Sequence, residues 1–187
     1  MEFTNEQKLI ITLLTDIHAK LEINDSFDPD FVQRMVMRGH GWALEWKYPG
    51  VFHESEDTPE AVTLVCGVLE MWSVLERSFE ALDDNQRQAL SEAAGAFGRD
   101  VRFPGFDGNN ESEYLSIAHI LVEDLDRWDE FAGRINNAHM RTIDGYQRML
   151  PVFEEIRDRK LDSGDFTGLD VEELAQVLSE RRHPENR

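Results

Sequence analysis

A chain of 187 residues is long enough to enclose one core, and 41 % hydrophobic residues with 10 % aromatics can fill it. Its 38 acidic against 19 basic side chains leave a formal net charge of −19, which repels phosphate at long range and argues against nucleic acid and anionic lipid surfaces as partners. The single cysteine, Cys66, excludes an internal disulfide and suits a reducing compartment.

The opening Met1-Glu2-Phe3 lacks the cationic start of a secretion signal. Thr4 and Gln7 have the spacing of a capping box, and Ile10, Leu13, Leu14, Ile17 and Leu21 follow at helical spacing. Asp28-Pro29 supplies a second helix start, carrying Phe31, Val32, Met35 and Val36 and ending at Gly39. From Gly39 to Phe52 the pattern reads as a loop crowded with rings: Trp42, Trp46, Tyr48 and Phe52. Rings at this density must be covered, by the domain itself or by another subunit, so these four residues are an interface candidate as well as core candidates.

Thr58-Pro59 predicts the start of a central helix. Its first half, through Val62, Val65, Val68 and Leu69, is apolar on every side, and polar residues after Glu70 predict emergence into solvent. The apolar run from Ala61 to Leu69 is about half the length needed to span a bilayer, so the expectation is a cytoplasmic protein outside the membrane. A helix from about Asn85 to Phe97 precedes the turn at Pro104-Gly105. Asn110 and Glu113 then predict a helix bearing Tyr114, Ile117, Leu121, Leu125 and Trp128. Another runs from about Thr142 through Tyr146, Met149, Phe153 and Ile156, with Pro151 as a kink candidate. Asp170 and Glu173 form the last capping box, and a charged tail starts near Arg181.

Apolar residues therefore recur at helical period throughout. The reading is an all-α single domain spanning residues 1–187, with seven to eight helices around a buried central one.

Chemical motifs are sparse. Asp162, Asp170 and Glu173 match three positions of a calcium loop, but Gly164 and Phe166 offer no side-chain oxygen, and capping accounts for the other two acids. His119 and Glu123 share a helix face that Asp126 continues, but a closed site needs three or four ligands from more than one element, so no metal and no cofactor is expected. Cys66 lies well inside an apolar helix, where burial keeps a thiol neutral. Asp107, Glu111, Tyr114, Tyr146 and Arg148 are either a polar pocket or a structural motif pinning one helix start against a later helix.

Several segments resemble the YfbU family of bacterial proteins: Gly105-Phe106-Asp107 with Glu111, Tyr114 and Leu115, then Tyr146-Gln147-Arg148-Met149-Leu150. Thr4 to Ile10 and Leu169 to Leu174 resemble that family's two ends, while 41–57 and the length before Arg99 match poorly. The resemblance implies a multihelical cytosolic fold that forms homo-oligomers, and brings no catalytic residue. Together these readings favour a non-enzymatic, self-associating protein that acts through protein contacts in regulation or stress. An enzyme with an unfamiliar polar pocket is the alternative.

Overall fold

The computed structural model describes residues 2–23, 27–51 and 58–183. Among them it contains eight α-helices and no named strand. They are α1 (Asn5–Lys20), α2 (Pro29–Arg38), α3 (Gly41–Lys47), α4 (Glu60–Glu80), α5 (Asp84–Ala94), α6 (Ser112–His119), α7 (Ile143–Ser163) and α8 (Val171–Ser179).

Local chemistry sets most of the boundaries. Capping boxes open α1 (Thr4 with Gln7), α5 (Asp83 with Gln86) and α8 (Asp170 with Glu173), each satisfying two backbone N–H groups. Asp28 caps α2, whose Pro29 occupies the first turn, and Gly39 ends it in the left-handed conformation at φ 79°. The start of α4 differs from expectation. Thr58 makes no cap, and the helix begins after Pro59, which sets the backbone direction without a side-chain bond.

α4 is the axis of the core. It packs on α6, α7 and α8, while α5 packs on α8 and α1 chiefly on α2. Buried residues form one contiguous cluster, with Trp72, Leu69, Met71 and Leu75 of α4 fully enclosed. The expected emergence after Glu70 is corrected: Ser73, Glu76 and Ser78 are buried. Each has a distant partner that makes burial tolerable. Glu76 accepts from the Phe103 N–H at 2.7 Å and pairs with Arg134 at 2.8 Å. Ser78 Oγ accepts from the Leu169 N–H at 2.8 Å, and Ser73 bonds Glu130.

Two further expectations change. The aromatic segment after Gly39 is not a loop, because Gly41 to Lys47 form the short helix α3. The helix through Tyr114 does not reach Trp128. After His119 it widens, the Leu125 N–H bonding the Ile120 carbonyl five residues back, and Trp128 takes φ 52° outside it. Asp124 is held there by Arg34, which donates two 2.8 Å bonds to its carboxylate, and by Lys47 on its carbonyl. That clamp across 90 residues of sequence outweighs local helical preference.

Candidate functional site

The polar residues singled out from Asp107 to Arg148 form two clusters. The first begins at Gly105, whose φ of 88° and closeness to Asn136 leave no room for a side chain: a Cβ there would come within 1.9 Å of the Asn136 carbonyl oxygen. This approach lets Phe106 bridge to Asn137, with the Ala138 N–H bonding the Phe106 carbonyl at 2.9 Å. Asp107 then closes the next turn, accepting from the Asn109 N–H at 3.0 Å and from Asn110 Nδ2. The Asn110 bond, helped by the Asn109 N–H, holds the Asp107 carboxyl below its usual range.

Glu111 joins this turn to α7. Its buried carboxylate accepts from the backbone N–H groups of Asp107 (2.9 Å), Thr142 (2.8 Å) and Ile143 (2.9 Å), and from the Thr142 hydroxyl at 2.9 Å. The residue immediately before α6 thus caps the start of α7, where the dipole favours a negative charge. The Tyr146 hydroxyl donates to the Gly105 carbonyl at 2.8 Å, and burial pushes its pKa above the ordinary phenol value. Tyr114 is half-buried beside Phe106, with ring centroids 6.0 Å apart.

Arg148 faces another way. Its Nε donates to the Glu180 carbonyl at 3.0 Å and its Nη2 to the Arg181 carbonyl at 3.3 Å, so it caps the far end of α8. A recess of about 230 Å³ lies there, lined by Arg141, Thr142, Tyr146, Arg148, Arg181 and Phe97 among others. Arg181 is stacked on Trp72 (5.3 Å) and Phe97 (4.7 Å). Asp107 and Glu111 do not line this recess, whereas Tyr146 does, so Tyr146 belongs to both clusters and Arg148 is separated from Asp107 and Glu111 alone. Chemically the first cluster is a saturated set of hydrogen bonds, with its acceptors turned inward and already engaged.

Other candidates have similar structural settings. Cys66 is half-buried, and desolvation raises its thiol to about 11. Asp170 and Glu173 cap α8, and Glu173 also pairs with Arg159 at 2.7 Å. Among the described residues no three His, Cys, Asp or Glu side chains are grouped so as to hold a metal ion. No helix there is long and apolar enough to cross a membrane.

The aromatic segment is largely folded onto its own chain. Trp42 is buried and packs edge-on against the half-buried Trp46 at 5.4 Å, which Arg127 covers at 4.4 Å. The Tyr48 hydroxyl accepts from the Asp28 N–H at 3.0 Å. Phe52 lies outside the described residues.

Among the described residues the broadest exposed apolar surface belongs to α1. α1 has no buried residue. Leu9, Ile10, Leu13, Leu14 and Ile17 are 55–61 % exposed, and Leu21 is 66 % exposed. The opposite face, with Lys8, Ile11, Thr12, Thr15 and His18, is the half-buried one. Its contacts to α2 include Gln33 Nε2 donating to Thr15 Oγ1 and to Asp16, each at 3.1 Å. The helix therefore turns its polar side inward and its leucines outward. An apolar recess of about 280 Å³ opens beside the stripe, lined by Leu14, Phe27, Tyr48 and His18 among others. Neither ring nitrogen of His18 has a hydrogen-bond partner among the described residues. Periodicity could not have flagged this surface, since it reports that a helix has an apolar side but not what that side meets. The one clue was Thr12 and Thr15 on the other side. A family model described as the YfbU domain matches residues 1–179.

Proposed function

The chain belongs to the YfbU family, and from that premise and the geometry above we propose that it is a non-enzymatic, self-associating helical protein of the cytoplasm that works through protein contacts. The observation that carries this reading is the outward apolar face of α1. A soluble monomer seldom leaves a helix with five of its six large apolar side chains more than half exposed, only Ile11 being half-buried. The alternative, an enzyme with a polar pocket at Asp107 and Glu111, draws little from a cluster whose carboxylate oxygens already accept internal bonds. Regulation or a response to stress would suit a protein that acts by docking alone.

Sedimentation velocity over a micromolar concentration series tests the reading. The chain is expected to sediment as a species heavier than its 21.6 kDa monomer. The double variant Leu13→Glu with Ile17→Glu is expected to sediment as the monomer with unchanged helicity, because it puts four charges into each paired interface. A monomer at every concentration, or an assembly indifferent to the double variant, overturns the proposal.

A further inference from the structure

The apolar face of α1 also carries information about what covers it. Glu6, Leu13 and Lys20 are spaced by seven residues, so they lie nearly on one line along the helix, drifting by about 20° per step. Leu13 is central. Glu6 and Lys20 stand equally far from it, one toward each end of a stripe roughly 21 Å long between them at 1.5 Å per residue. Both are exposed, and neither takes part in a described ion pair within its own chain.

We infer that the partner of this face is a second copy of the same chain, whose α1 crosses antiparallel about Leu13 and Leu14, so that Glu6 of each copy meets Lys20 of the other. The inference rests on the self-association reading above and adds to it the occupant and its direction. A two-fold axis through the middle of α1 pairs opposite charges at both ends of the contact. A parallel crossing sets Glu6 against Glu6 and Lys20 against Lys20, which is unfavourable at both ends. Antiparallel helices also align each negative C-terminal pole with the partner's positive N-terminal pole. Between the charged ends, Ile10 of one copy packs by Ile17 of the other.

Area supports the same occupant. Six large side chains more than half exposed present an apolar surface on the order of 600 Å², at the top of what a typical monomer shows in one patch. Phe27, also exposed and beside Leu14 at the recess, extends it toward the ~800 Å² that each partner contributes to a standard interface. A foreign cationic partner would be drawn instead to the acidic faces of a chain with net charge −19, and this stripe carries few acids.

The experiment is a charge exchange read by sedimentation equilibrium on the full chain. Glu6→Lys alone and Lys20→Glu alone are each expected to weaken dimerisation by about tenfold, and the double exchange to restore it. Both sites are exposed, and circular dichroism checks that helicity is kept. If either single variant leaves the dimer unchanged, or the double variant fails to recover, the antiparallel assignment is overturned. In that case Leu13→Glu with Ile17→Glu still separates the chains and the self-association reading stands. If the wild-type chain is monomeric throughout, both fall.

Discussion

Replacing Glu111 by alanine is expected to lower the unfolding free energy by about 3–5 kcal/mol, as when one partner of a buried polar network is removed. Three backbone N–H groups, from Asp107, Thr142 and Ile143, lose their acceptor at once. The turn holding Gly105 and the start of α7 are both pinned by this one carboxylate, so no local rearrangement can satisfy all three donors. Urea titration checks it: the midpoint should fall with the slope unchanged, since the surface exposed on unfolding stays the same. Glu111→Gln is expected to lose less, because it keeps one acceptor oxygen but places an amide N–H₂ among donors. If Glu111→Ala changes stability by under about 1 kcal/mol, within the ordinary range of surface substitutions, Glu111 is not the structural hinge described. An active-site role for the same residue predicts the reverse pattern, with stability kept or raised when the carboxylate is removed.

Trp72→Ala should cost a similar amount, about 3–5 kcal/mol, through the cavity it leaves. Trp72 is fully enclosed in α4, with Phe103 and Tyr146 each 6.0 Å away and the Arg181 guanidinium stacked on its face. Its indole N–H has no hydrogen-bond partner among the described residues. Trp72→Phe keeps most of the packing and removes that unsatisfied donor, so two opposing effects leave a loss of about 1 kcal/mol or less. Thermal unfolding of the two variants decides the matter. Equal, large losses would show that the indole nitrogen contributes a bond of its own.

The helices were legible because their signals are local. Thr4 with Gln7, Asp28 with Pro29 and Asp170 with Glu173 each place a cap within three residues of what it caps, and each is found in the structure. Where distant groups decide, the sequence was silent. Glu76 and Ser78 look like solvent-facing residues on α4 and are buried because Arg134 and the Leu169 N–H come to them from far along the chain. The helix through Tyr114 stops short of Trp128 because Arg34, 90 residues earlier, holds Asp124. The candidate polar site divided in the same way. Asp107, Glu111 and Tyr146 meet through Gly105 and Thr142, a backbone carbonyl and a hydroxyl that no motif marks, while Arg148 went to the end of α8. For α1 the pattern was plain and its meaning was not, since an apolar stripe looks the same whether it faces its own core or another molecule.

Hydrogen exchange along α1, measured across protein concentration, tests the central claim that this helix is completed by a second chain. A 16-residue helix with no buried residue is marginal by itself, so its protection must come from α2 and from whatever covers the stripe. The amides from Ile10 to Ile17 are expected to exchange markedly more slowly once the concentration passes through the dimerisation range, with α4 protected throughout. Exchange in α1 that is the same in dilute and concentrated protein, beside an equally protected α4, would contradict it.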